Sequence, residues 1–322
     1  MSTPAADLPA ATLPDPAAIP PAVDADPAWA AAARAWLVQS DARFARRFDA
    51  GEPADKLVAL RARAVDTLVR DAWQRCIPEG DALALFAVGG YGRGELFPQS
   101  DIDLLVLAEP DVQRAAQPAL ARFVALLWDG GLQASPAVRS AAECTEAAAD
   151  QTVLTALIEA RPLVAWEEET AALRATIAPD RAWAPRAFLE AKVAEQRQRH
   201  ARFGDTSDNL EPNIKDGPGG LRDLHMLGWL ALRSFGVRDL DALVGLGHLG
   251  PDEAIALERE RRVLCRLRYG LHLVAGRREE RLRFDFQKLL AARLGYEDDG
   301  DSLAVEKMMQ GFYRSAAIVR RI

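Results

Sequence analysis

The segment 85–107 sets a glycine-rich turn between two apolar runs and then places two aspartates two residues apart. Ala82 to Val88 reads as a strand. Gly89, Gly90, Gly92 and Gly94 follow within six residues, and the apolar run Leu104 to Leu107 comes directly after Asp101-Ile102-Asp103. Side chains along a strand alternate faces, so Asp101 and Asp103 emerge on one side while Ile102 and Leu104 point to the other. Carboxylates ~7 Å apart repel by about 2 kcal/mol at an effective dielectric of roughly 20, and a bound divalent cation reverses that sign. Glycines ahead of the acids let backbone N–H groups approach a phosphate closely. Together these features point to metal-assisted chemistry on a nucleotide.

An Asp-x-Asp pair alone decides little, because the chain holds four: Asp24/Asp26, Asp101/Asp103, Asp239/Asp241 and Asp299/Asp301. Only the second opens an apolar run of β-type composition and follows a Gly-Gly pair by a ten-residue spacer. A blander reading makes Asp101 and Asp103 strand-end acids paired with Arg93, a surface contact of small energetic weight. That reading leaves the four clustered glycines unexplained.

Gly89-Gly90, the spacer and Asp101-Ile102-Asp103 resemble the signature of the DNA polymerase β-type nucleotidyltransferase superfamily. The longer string Gly-Gly-Tyr-Gly-Arg-Gly-Glu-Leu-Phe-Pro-Gln-Ser-Asp-Ile-Asp-Leu-Leu is closer to one branch, the protein-PII uridylyltransferases of bacterial nitrogen signalling. Asn209 to His225 and the run from Arg268 through Arg283-Phe-Asp-Phe-Gln287 to Tyr296 are also similar to that family, in the same order. The resemblance runs from about Trp36 to Ile322. It implies an α+β fold: a small mixed-sheet nucleotidyltransferase domain with helices, followed by an all-α helical domain.

Composition limits the alternatives. Hydrophobic residues make up 49% and charged residues 27%, as in globular proteins. The formal net charge of −7 argues against a dedicated nucleic-acid binder. No apolar run reaches spanning length and no leader pattern opens the chain, so a cytoplasmic protein without a membrane segment is expected. Cys76, Cys144 and Cys265 are odd in number and widely spaced, which suits reduced thiols better than disulfides or zinc.

Residues 1–30 hold seven of the nineteen prolines and read as a flexible tail. Residues 31–79 read as a helical lead-in, 80–165 as the nucleotidyltransferase domain and 180–322 as the helical domain. Within these, a helix is expected from Asp111 to Trp128 and a short strand at Leu132 to Val138, which Pro136 places at a sheet edge. Val153 to Val164 is ambiguous between helix and strand. Pro251 opens a long helix. Nine arginines between Arg259 and Arg283 are expected mainly on a solvated face with Glu258, Glu260, Glu279 and Glu280. Trp229 and Phe235 are expected in the core. The final helical segment carries no stop signal, and the four histidines include no His-Asp doublet. The resemblance accordingly implies a chain lacking the family's uridylyl-removing HD domain and its glutamine-sensing ACT domains, which make the full-length proteins multifunctional.

The implied reaction takes UTP and a tyrosine of the PII protein to uridylyl-tyrosine and pyrophosphate. Asp101 and Asp103 would hold two magnesium ions about 4 Å apart for an in-line displacement. Gly89 and Gly90, with Gly92, would position the β- and γ-phosphates, and Arg93 would neutralise the triphosphate or orient Asp101. Superfamily members carry a third carboxylate. The expected strand offers only Gln133 and Ser135, so Asp150 is the candidate. Lys215 and Arg222 flank a Gly-Pro-Gly-Gly turn and could fold over the nucleotide. One rival is an adenylyltransferase acting on glutamine synthetase, whose Val-Asp-Leu-Arg-Leu-Arg-type strand is absent. The other is a non-catalytic module that binds nucleotide or PII.

Overall fold

The computed structural model describes residues 25–322 except 79, 81, 207 and 208. The tail therefore lies mostly outside the described residues. Two long helices, α1 (Asp26–Asp49) and α2 (Ala54–Cys76), lead into strand β1 (Ala84–Ala87). Helix α1 begins inside the stretch expected as tail, because Trp29 is buried against the following layers. A one-turn helix α3 (Gly89–Gly92), strand β2 (Ile102–Leu107), helix α4 (Pro110–Asp129) and strand β3 (Ala134–Arg139) follow. Then come α5 (Ala141–Ala147), α6 (Gln151–Ile158), β4 (Arg161–Val164) and α7 (Glu167–Thr176). The rest is helical: α8 (Pro185–Ala201), α9 (Leu221–Phe235), α10 (Leu240–Gly245), α11 (Pro251–Ala275), α12 (Phe284–Arg293) and α13 (Ala304–Arg321).

The four strands make one mixed sheet in the order β3-β2-β1-β4, with β2 and β3 parallel and both pairings of β1 antiparallel. Proline cannot donate to a ladder, and Pro136 accordingly sits on β3 at the sheet edge. The parallel β2-β3 pair needs a crossover, which α4 supplies.

Alternation along the strands divides the core. Leu85 and Ala87 of β1 and Ile102, Leu104 and Val106 of β2 join the cluster that includes α1, α2 and α4. Ala84, Phe86, Leu105 and Leu107 face a second cluster built from α5, α6, α7, Phe188 and α9. Both sheet faces are covered, so the strands read as nearly continuous apolar runs. Asp103 shares its parity with Leu105 and Leu107 and thus opens toward the side of α6 and α9. The first cluster continues through α11, α12 and α13, so one apolar body joins the lead-in helices, the sheet and the helical half.

The ambiguous stretch contains both elements. Asp150 caps α6 by accepting from Thr152 N (2.6 Å), the helix ends at Ile158, and Arg161 starts β4 on the far edge of the sheet. No described helix is long and apolar enough to cross a membrane.

Candidate active site

Backbone pairing brings the glycines to the acids. Val88 N donates to Asp103 O (3.0 Å), so the chain leaving β1 turns at Gly89 directly beside Asp103. Gly89 has φ +58°, and a Cβ there would stand 3.3 Å from Asp103 Oδ2. The left-handed backbone favours glycine here, and a Cβ would also press on the Asp103 carboxylate. Gly89 and Gly90 open the helical turn of α3, where backbone N–H groups have no partner four residues back and remain available to an anion. The turn is held from behind by Tyr91, whose hydroxyl donates to Asp66 (2.7 Å), while Arg161 donates to both oxygens of the same carboxylate (2.7 and 3.0 Å).

Asp101 and Asp103 both line a cavity of about 220 Å³ with Gly89 and Gly90, and its other walls carry Lys215, Arg222, Arg268 and Arg278. Burial, together with the neighbouring Asp101 charge, holds the Asp103 carboxyl above its usual range. A divalent cation would relieve that repulsion. Among the described residues no group of three or more His, Cys, Asp or Glu is placed to bind a metal. Two carboxylates on one cavity wall nevertheless fit magnesium, which keeps waters and takes substrate phosphate oxygens beside one or two acids.

Several expected site residues stand elsewhere. Asp150 is spent on the α6 cap and does not line the cavity. Gly92 is a packing position: a Cβ would come within 2.3 Å of Glu159 O and 2.9 Å of Ala87 O, and the residue does not line the cavity. Arg93 does line it, but its Nη1 donates to both Glu159 oxygens (2.6 Å each) and its Nε to Glu95 (3.1 Å). The guanidinium that meets Asp101 belongs to Arg278, whose Nη1 lies 2.7 and 2.8 Å from the two carboxylate oxygens.

Lys215 and Arg222 do reach the cavity from the segment before α9. Asn213 Oδ1 accepts from Lys215 N and Asp216 N, fixing this turn, and Gly220 N closes on Gly217 O. Burial and the nearby Arg268 charge bring the Lys215 ammonium down to about 8. Arg222 lies over the Trp229 ring at 5.6 Å. A second cavity of about 310 Å³ shares Thr152, Thr155, Arg222 and Trp229 with the first and adds Lys192, Arg199 and Arg202. The acids therefore open onto a wall of paired charges, in which Lys192 and Arg222 meet Glu195 and Asp216. A wider groove of about 1040 Å³ lies across the Arg93, Glu95, Glu159 and Trp229 wall but includes neither aspartate.

Most of the arginines from Arg259 to Arg283 lie on the expected solvated face, and Arg268 is the exception. Arg268 is buried, donating to Glu280 (Nε 2.7 Å) and lying 4.0 Å over the Phe97 ring. Trp229 is buried as expected, yet it lines the site and bonds Glu159, whereas Phe235 is exposed.

Two family models match the chain: the nucleotidyltransferase domain over residues 69–178 and GlnD PII-uridylyltransferase over residues 187–322. The chain belongs to the PII-uridylyltransferase family. A bifunctional uridylyltransferase/uridylyl-removing enzyme of Xanthomonas campestris pv. campestris (strain 8004) is 68% identical over 302 residues, covering 94% of this chain and 35% of that relative. The enzyme of the same name from Xanthomonas oryzae pv. oryzae (strain MAFF 311018) is 65% identical over the same shares of both chains. That of Methylococcus capsulatus (strain Bath) is 43% identical over 294 residues, 91% of this chain and 34% of the relative. The chain thus spans about a third of the length of these family members.

Proposed function

We propose that this chain transfers UMP from UTP to a tyrosine of the PII nitrogen-regulatory protein and releases pyrophosphate, with magnesium bound by Asp101 and Asp103. The observation that carries this reading is the single cavity in which that acid pair, the Gly89-Gly90 turn and the Lys215, Arg222 and Arg268 cations face one another. Bound magnesium would supply Lewis-acid stabilisation of the attacking and leaving oxygens. The amides of Gly89 and Gly90 would donate to the terminal phosphates. Lys215, Arg222 and Arg268 would offset the charge that grows on the departing pyrophosphate. The three cysteines are buried and free, in keeping with a reducing cytoplasmic setting.

Incubation with PII, magnesium and α-labelled UTP or ATP tests the assignment. Label entering PII from UTP supports it. Label from ATP alone identifies an adenylyl donor, and no label from either, with nucleotide still bound, identifies a binding module.

Lys215 gives the reaction a pH signature. Its ammonium is lowered to about 8 by burial and by Arg268, so it loses its proton as pH rises through that value while ordinary lysines keep theirs. The KM for UTP is expected to rise several-fold, of the order of a lost charge-assisted hydrogen bond, between roughly pH 7 and 9. Lys215→Arg, which stays charged throughout that range, should flatten the profile. An identical rise in the arginine variant would remove Lys215 from nucleotide binding.

A further inference from the structure

The segment between α11 and α12 carries Arg278 to the acid pair, and its anchoring shows how firmly it is aimed. Glu280 O accepts from Ile214 N (2.8 Å), Pro212 O from Leu282 N (2.9 Å), and Asn213 bridges to Arg281. Arg268 grips the Glu280 carboxylate. The Arg278 segment and the turn that presents Lys215 are therefore one paired unit. From it a single flexible side chain reaches across to the start of β2 and covers both oxygens of Asp101.

We propose that Arg278 is a positioning residue that stands in for the metal ion on Asp101 and makes divalent-cation binding contingent on the nucleotide. The inference rests on Asp101 and Asp103 being the metal pair. A guanidinium nitrogen 2.7 and 2.8 Å from the two oxygens occupies the side of the carboxylate from which an ion must be coordinated at about 2.0–2.1 Å. The two cannot share that position. With Arg278 in place, Asp101 has a counter-charge that relieves its repulsion with Asp103, and the free enzyme has little electrostatic need of a cation. A triphosphate entering between the glycine turn and Lys215 offers the guanidinium a more highly charged acceptor within the same cavity. Arg278 then passes from Asp101 to the polyphosphate and frees Asp101 for metal.

The contact is suited to such an exchange. The side chains of Arg278 and Asp101 keep 49% and 40% of their surface exposed, so the pair is weak enough to break. The Arg268–Glu280 pair that anchors the same segment keeps only 7% and 13%. The fixed cation, on α11, and the movable one, on the segment that follows it, thus meet at Glu280. By linkage, if nucleotide favours metal through release of Arg278, metal favours nucleotide by the same factor.

Mn²⁺ binding to the whole chain, followed by the loss of the free-ion electron paramagnetic resonance signal, reads this directly. Measurements are made with and without a UTP analogue whose α,β-bridge is not cleaved. In the unaltered chain the analogue should tighten Mn²⁺ binding strongly. In Arg278→Gln, Mn²⁺ alone should bind about two- to fivefold tighter, the scale of one exposed ion pair removed from competition. The analogue should then add correspondingly less, and Arg278→Lys, a point charge without the fork, should fall between. Unchanged Mn²⁺ affinity in Arg278→Gln, with binding still abolished by Asp103→Asn, overturns the stand-in role and leaves the metal pair intact. Mn²⁺ binding that survives Asp103→Asn overturns the metal assignment itself. A thermal midpoint of Arg278→Gln matching the parent excludes misfolding as the source of either result.

Discussion

Asp103→Asn is expected to lower uridylyl transfer by at least about a thousandfold, since an ion that stabilises a phosphoryl transition state contributes several kcal/mol and each 1.4 kcal/mol is tenfold in rate. The substitution keeps the size of the side chain and removes its charge. Asp103 projects from β2 into the cavity, and its carboxyl is already disfavoured by burial and by Asp101. Loss of that charge removes a repulsion from the folded state, so the unfolding midpoint should stay level or rise slightly. Such a split between activity and stability is what a metal ligand gives. A structural acid would lose both together, and turnover within tenfold of the parent would sink the metal assignment. Asp101→Asn should also reduce transfer, but it additionally frees Arg278, so in the absence of divalent cation its nucleotide affinity should shift where that of Asp103→Asn does not.

The sheet half of this site was legible because its signals are local. Strand parity sets Asp101 and Asp103 on one side, the ten-residue spacer brings the glycine turn back to them, and Pro136 marks an edge strand. Sequence does not show a residue's surroundings where these depend on what arrives from elsewhere in the chain. Gly92 reads as part of a phosphate cradle, yet its missing Cβ admits the Glu159 carbonyl across the turn. Asp150 is an acid in a suitable segment, but a helix begins at the next residue and takes it as a cap. The arginines of α11 and the following loop look like one solvated population. Only tertiary packing sends Arg268 inward to Glu280 and Arg278 across to Asp101. Trp229 shows the same limit from the other side: its apolar character announces burial, whereas its indole N–H bond to Glu159 is set by α6 and β4 meeting α9.

That Glu159 bond belongs to the network with the second large expected effect. Arg93 holds two carboxylates, Glu159 and Glu95, and Glu95 in turn accepts from His225 at 3.1 Å. Burial pushes Glu159 up despite Arg93. Burial acts on Glu95 the same way, but the charges of Arg93 and His225 outweigh it and hold the carboxyl well below the usual range. His225 is itself brought down to about 4, by burial first and by Arg93 second. Arg93→Ala leaves two buried acids without their cation, a class of change that costs about 3–5 kcal/mol. Because Arg93 and Glu95 each keep 21% of their side-chain surface exposed, about 3 kcal/mol is the expected loss. The pH dependence follows from the sign of each shift. In the parent, depressed Glu95 contributes stability that is present above its unfolded pKa, about 4.3, and fades as pH falls through the folded value. In the variant both acids are raised and take up protons on mild acidification, which relieves the buried charge. Urea midpoints should therefore lie far apart at pH 7 and converge toward pH 4.5. A gap that stays constant across that range would mean that Arg93 stabilises the cavity wall through packing of its apolar stem, not through its charge.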